Sequence, residues 1–240
     1  MNTTSELTIV IPAKNEAILI PRLLTSLVMQ DYQFMQTTRV YLADAGSTDG
    51  TAEIALGFTK WLDLQVIPGG LPAVGRNAGA RRANTPYLLF IDADIEVTDR
   101  TLVRRALELM KRRSLHCITT SISCPEGSVW DQVLYGGNNF MQHLSRVYKP
   151  FSTGMFMLFD RSKFQELGGF HEQALYAEDY LLSQQVARRR FGIVRGHVIT
   201  TNRRFKKMGH FRPALLFLNT ALHAHSEGFF LRDHKYWHST

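Results

Sequence analysis

The sequence predicts an α/β protein organised on an open, largely parallel sheet covered by helices. Three observations lead there. Short apolar runs without polar alternation, such as residues 7–12 (LTIVIP) and Tyr87–Ile91 (YLLFI), have the pattern of strands buried on both faces. Stretches with helical apolar spacing separate them. Two of the runs end in acids, Asp44 after RVYLA and the pair Asp92 and Asp94 after YLLFI, and open α/β sheets bind ligands outside the carboxyl ends of their strands.

The elements follow in order. Residues 7–12 form the first strand, and Ile18, Leu19, Leu23, Leu24, Leu27 and Val28 mark a helix that Asn15 can cap. Lys14, Asn15 and Glu16 then stand at the mouth of the strand, where they can line a nucleotide pocket. Arg39–Asp44 is the second strand. Its turn holds Gly46 and Ser47, with Ser47 or Thr48 as cap of a helix starting near Thr51. The Asp44 carboxylate reads either as a turn residue or as an acceptor of a hydrogen bond from a base or ribose.

Residues 64–67 form a third strand. A loop with Gly69, Gly70, Pro72 and Gly75 leads into a helix of small residues over 76–83. Arg76, at the expected start of that helix, suits a diphosphate, because a cation and free backbone N–H groups coincide there. After Tyr87–Ile91, two acids one residue apart suit a hard divalent cation that bridges phosphate oxygens. A helix is expected over 100–113, and Cys117–Ser123 alternates enough to suggest a strand nearer an edge.

Residues 125–150 fit helical pieces broken at Gly136-Gly137, or a mobile acceptor-facing loop. Residues 153–159 form another buried strand, followed by a short helix stopped by Gly168-Gly169. Glu178 and Asp179 open a helix over 181–190, and residues 193–200 form the last strand. A compact basic run at 201–207 follows, then an apolar helix over 213–231 that packs on the domain or rests on a membrane.

At 240 residues the chain is expected to be a single domain, with 213–240 as a C-terminal helical extension. Lys and Arg number 28 against 21 Asp and Glu, a net charge of +7, which favours anionic partners. The excess lies late in the chain. Residues 181–240 hold eleven basic and two acidic side chains. Two cysteines, Cys117 and Cys124, make neither a disulfide framework nor a metal-binding pattern. No basic-then-apolar leader opens the sequence, and no apolar run nears about 18 residues. The expectation is therefore a cytoplasmic protein, or one attached peripherally to a cytosolic membrane face. No GxxxxGK[ST] loop is present, and no GxGxxG follows a strand, which weighs against ATPase and dinucleotide chemistry.

The order LTIVIPAKNE, ADAGSTDGT, GRNAGAR, LLFIDAD, STGMFMLFDRSKFQELGGF, AEDYLLSQQVARR and TNRRF resembles the family 2 glycosyltransferases from about Leu7 to about Arg212. The resemblance implies a three-layer, Rossmann-like mixed sheet flanked by helices, the GT-A or nucleotide-diphospho-sugar transferase fold. It implies an inverting, non-processive transfer from a nucleotide-diphospho-sugar, UDP-linked first and GDP-linked second, dependent on Mn²⁺ or Mg²⁺. The acceptor stays open; a lipid-linked molecule or a small glycan would serve.

By the same resemblance Pro12, Ala13 and Glu16 line the nucleotide, Asp44 contacts its base and Arg76 is the basic position after the Gly-rich loop. Asp94 holds the metal, and Asp92 holds the ribose or a metal-bound water. Asp179 is the general base beside Glu178, and Arg203 and Arg204 hold the diphosphate. The chain departs from the pattern at Ala45, where a second acid is usual, and at Phe205, where Trp is usual. Two rival readings are a sugar nucleotidyltransferase and a non-catalytic anion-binding module using Arg188, Arg189, Arg190 and residues 203–207. The first lacks its Gly-rich basic loop after the first strand. The second has no nucleic-acid signature and leaves the acids without a purpose.

Overall fold

Among the described residues, eight strands form one mixed sheet in the order β3-β2-β1-β4-β7-β6-β8-β5. The structure, a computed structural model, describes residues 4–210, 215–216, 219–220 and 227–232. The strands are β1 (Leu7–Ala13), β2 (Arg39–Asp44), β3 (Asp63–Pro68), β4 (Tyr87–Ile91), β5 (Ile95–Glu96), β6 (Cys117–Ser123), β7 (Phe156–Asp160) and β8 (Phe191–Thr200). β3, β2, β1 and β4 run parallel, β7 is antiparallel to both its neighbours, and β6 pairs parallel with β8.

Alternation along each strand feeds two cores. Leu7, Ile9 and Ile11 of β1 join Leu89 and Ile91 of β4 on one face. Against them pack α1 (Ile20–Val28), α2 (Thr51–Leu56) and α4 (Leu102–Arg113), through Leu23, Leu24, Leu27, Ala55, Ala106 and Met110. Val10, Leu88 and Phe90 face the other side, where Ala73 and Ala80 of α3 (Pro72–Arg82) and the aromatics Phe159, Phe164 and Phe170 cover them. A sheet between two helical layers is the arrangement expected for strands that are apolar on both faces.

The small residues of α3 permit its close approach to the sheet. A Cβ at Gly79 would collide with the Val10 side chain, whose Cγ2 stands 2.7 Å from that position. Gly to Ala inside a helix ordinarily stabilises by about 1 kcal/mol. Here overpacking, at about 1–3 kcal/mol, outweighs it. Gly79→Ala is therefore expected to destabilise the protein in urea unfolding; a gain in stability would show that α3 can lift off the sheet at no cost.

Several elements differ from the sequence expectation. α3 begins at Pro72, not near Arg76, because Pro fits the first helical turn and needs no partner for its missing N–H. Arg76 thus sits inside the helix, away from the free N–H groups at its start. β6 is interior, between β7 and β8. Its apparent alternation comes from Thr119 and Thr120, both buried and hydrogen-bonded. Residues 125–150 contain one continuous helix, α5 (Val129–Ser145), capped reciprocally by Ser128 and Asp131.

Asp160 caps α6 (Arg161–Glu166), which the two glycines at positive φ then end. α7 (Glu178–Ser183) is shorter than expected, and Arg188–Arg190 is a separate 3-10 turn. Most of the helix expected over 213–231, and the extension to residue 240, lie outside the described residues. Among the described residues, no helix is long and apolar enough to cross a membrane.

Candidate active site

The carboxyl ends of β1, β2 and β4 lie side by side. Strand register sets Pro12 opposite Ala43 and Ala13 opposite Asp44, and β4 flanks β1 on its other side. Asn15 and Ser47, expected as helix caps, instead join the two loops. The Asn15 N–H donates to Ser47 Oγ at 2.8 Å, and Asn15 Oδ1 accepts from the Thr48 N–H at 2.9 Å. Asn15 has φ 54°, a conformation that Asn tolerates better than most residues. Ser47 also holds Asp44. Its hydroxyl donates to Asp44 Oδ1 at 2.5 Å and its N–H to Oδ2 at 3.1 Å.

Two arginines tie together the acids the sequence singled out. Arg76, 2% exposed, donates through Nη2 to Asp92 Oδ1 at 2.5 Å and through Nη1 to Glu178 Oε1. Its guanidinium lies 5.2 Å from the Phe170 ring centroid and close against Gly154, where a Cβ would collide with it. Arg203, at the start of α8 (Arg203–Met208), grips Glu16 through both nitrogens, at 2.9 and 2.5 Å, and its Nη2 lies 3.7 Å from Asp94 Oδ2. The Arg204 side chain lies outside the described residues.

Asp179 Oδ2 accepts from the Gly154 N–H at 2.5 Å, and Oδ1 from the Tyr180 N–H at 2.7 Å. Burial pushes its pKa up to about 7, with the Glu178 charge adding to the rise and Arg76 opposing it. Glu16 is also raised, chiefly by burial, with Arg203 opposing and the Asp94 and Asp92 charges adding to the rise. A carboxylate poised near neutrality next to a cation-held pair of acids is the electrostatic arrangement of an acid–base site.

Glu16, Arg76, Asp92, Asp94, Glu178, Asp179 and Arg203 are thus drawn to one region from five parts of the chain. Pro12, Ala13 and Asp44 occupy the adjoining strand ends. Sequence reasoning missed the Arg76–Glu178 bond, which spans 102 residues, and the part of Gly154, whose only sequence signal is a glycine beside a buried strand. Deleting the guanidinium would strand two acids. Arg76→Met is expected to cost about 3–5 kcal/mol, read as a lower urea midpoint; an unchanged midpoint would mean that the acids relax to water.

Among the described residues, no group of three or more His, Cys, Asp or Glu side chains forms a metal cluster. The donors nonetheless fit Mn²⁺ or Mg²⁺, which usually bind through one or two carboxylates, with waters and substrate phosphates completing the sphere. Asp94 and Asp92 supply hard oxygens of that kind, with one Asp92 oxygen fixed by Arg76.

The Glycosyl transferase family 2 profile matches residues 8–168. The chain is 33% identical over 93 residues to validoxylamine A glucosyltransferase of Streptomyces hygroscopicus subsp. jinggangensis, covering 37% of this chain and 22% of that protein. It is 24% identical over 200 residues to 4,4'-diaponeurosporenoate glycosyltransferase of Staphylococcus haemolyticus, covering 76% and 47%. The chain therefore spans less than half the length of either relative.

Among solved structures, S. aureus TarS 1–349 superposes with a TM-score of 0.64 at 18% identity, covering 89% of this chain and 64% of that one. Mannosyltransferase PcManGT from Pyrobaculum calidifontis, in complex with GDP-Man and Mn²⁺, gives 0.65 at 20% identity, covering 90% and 65%. The eight-stranded mixed sheet is the GT-A fold of these neighbours. With a profile match across two-thirds of its length, laid over the strand ends where its acids gather, the chain belongs to glycosyl transferase family 2.

Proposed function

We propose that the chain is an inverting glycosyltransferase that moves a sugar from a nucleotide-diphospho-sugar to an acceptor hydroxyl. The observation that carries this reading is Arg76. It bonds Asp92, one of the acids after β4, and Glu178, next to the candidate base Asp179. Donor-side and acceptor-side groups therefore stand within the span of one guanidinium.

In this reading Pro12, Ala13 and Asp44 receive the nucleoside, with the Asp44 carboxylate accepting from base or ribose. Glu16, Arg203 and Arg204 border the diphosphate. Asp94 and Asp92 would hold Mn²⁺ or Mg²⁺, which when bound would supply Lewis-acid stabilisation of charge on the departing diphosphate. Arg76, buried with both terminal nitrogens held by acids, is assigned to positioning Asp92 and Glu178, not to contacting the diphosphate.

Asp179 takes the proton of the acceptor hydroxyl as its oxygen bonds to the anomeric carbon. The bond from that carbon to the β-phosphate oxygen breaks on the opposite face, so the configuration inverts. A UDP-sugar is the first choice of donor, since TarS has been seen with UDP and UDP-GlcNAc. A GDP-sugar is the second, since PcManGT carries GDP-Man.

Screening nucleotide-sugars with Mn²⁺ and identifying the released product tests the proposal. Release of a nucleoside diphosphate is expected. Release of pyrophosphate would instead mark a nucleotidyltransferase, and no turnover of any donor would return the chain to an anion-binding role.

A further inference from the structure

Helix α5 is amphipathic in the wrong sense for a helix bathed in water. Four of its polar side chains point inward, while Gln132 and His143 are exposed. Asn139 bonds both backbone groups of Ile122 on β6, at 2.9 and 2.7 Å. Gln142 donates to Thr119 Oγ1 at 3.1 Å, and buried Asp131 meets His210 Nε2 at 2.8 Å. Even Asn138 has its amide buried, with no hydrogen-bond partner. Outward, at helical spacing, stand Trp130, Val133, Phe140, Met141, Leu144 and, just past the helix end, Tyr148. Trp130 and Phe140 are each 67% exposed and Tyr148 is 78% exposed. A helix that faces water shows the reverse pattern.

Charge says what covers this face. Between residues 127 and 149 the sequence has one acid, Asp131, and it is buried. Arg146 and Lys149 flank the C-terminal end of the stripe. Arg188 joins them, with Nη1 donating to the Val147 carbonyl at 3.2 Å, and Arg189 next to it is exposed. An apolar stripe with Trp near one end, Tyr near the other and a cationic border is the composition of a helix lying in a membrane interface. Seventeen helical residues span about 25 Å in that plane.

The middle of α5 and the segment that follows it both reach the site. Tyr135 packs on Phe205 of α8, ring centroids 5.3 Å apart. Phe151 packs on Tyr180, and the Ser152 N–H donates to Ser183 Oγ, two residues before the Gly154 N–H that holds Asp179. We infer that the outer face of α5 docks on an anionic lipid membrane, so that Asp179 meets an acceptor hydroxyl carried by a lipid. The acceptor class rests on the proposed function; the docking does not.

Co-sedimentation with phosphatidylcholine vesicles, with and without about one-third phosphatidylglycerol, tests it. The wild-type chain is expected to bind the anionic vesicles, and less so at high salt. Trp130→Ser/Phe140→Ser is expected to weaken partitioning roughly tenfold. Arg146→Gln/Lys149→Gln is expected to weaken it about thirtyfold, at about 1 kcal/mol for each charge. Trp130, Phe140 and Arg146 are exposed and Lys149 is half-buried, so unchanged circular dichroism is expected.

Wild-type protein that stays in the supernatant would overturn the inference, as would binding indifferent to both variants. A concentration-dependent dimer abolished by Trp130→Ser would overturn it too, by giving the face to a second copy. Vesicle binding is read without donor or metal, so its failure leaves the proposed chemistry standing. Failure of donor turnover, conversely, leaves the docking standing.

Discussion

Asp179→Asn is expected to lower transfer by roughly 10²–10⁴-fold, the usual loss for a general base, while donor affinity stays within about twofold of wild type. Asn has nearly the shape of Asp, and its one amide oxygen can accept from either the Gly154 or the Tyr180 N–H, which in the wild type bond separate carboxylate oxygens. What it lacks is a site for the acceptor proton. The pH profile makes the test sharper. Burial raises the Asp179 pKa to about 7, so the wild-type rate should fall about tenfold per unit as the pH drops below that value. The variant should lose this limb.

Stability runs the other way. A carboxyl whose folded pKa is raised contributes stability that is complete below its unfolded value of about 3.9 and lost as the pH rises through about 7. At pH 8, where the buried wild-type carboxyl is ionised, that cost offsets the acceptor lost in the variant, and the variant's stability should lie close to wild type. Wild-type turnover in the variant would remove Asp179 from the role; a large loss of stability at pH 8 would make its low activity a folding effect.

Full chelation by EDTA is the second large effect. A divalent cation on departing phosphate oxygens supplies several kcal/mol of charge stabilisation, so its removal should cost roughly 10³-fold or more. Mn²⁺ should restore activity, and Asp94→Asn should need more Mn²⁺ to saturate. A competing cation stands close by: the Arg203 guanidinium lies 3.7 Å from Asp94 and grips Glu16. Were that cation sufficient for the leaving group, activity would survive chelation, and the metal assignment of Asp92 and Asp94 would fall.

Much of this arrangement was legible because β-strands that are apolar on both faces punctuate themselves. Arg39–Asp44, Tyr87–Ile91 and Cys117–Ser123 occupy the residues read from sequence, and the acids closing β2 and β4 mark the ligand edge. What was not legible depends on contacts distant in sequence. Pro72 and Gly75 read as loop residues, yet Pro72 opens α3 and Gly75 lets it lie close to Ala43. That moved Arg76 from a free helix start to a buried pairing with Glu178. β5, two residues at the sheet edge, had no periodicity to detect. α5 defeated the pattern differently: apolar spacing shows that a helix has two faces, not which one meets the protein. Asn15 and Ser47 have the chemistry of caps, but each has a better partner on the neighbouring loop.

Isothermal titration of UDP and GDP into the protein with Mn²⁺ tests the central claim most directly, since it asks only whether the strand-end acids form a nucleoside-diphosphate site. One of the two should bind with Mn²⁺ and far more weakly without it, and both Asp44→Ala and Asp94→Asn should reduce the affinity. Binding by neither nucleotide, or binding untouched by both substitutions, would contradict the account.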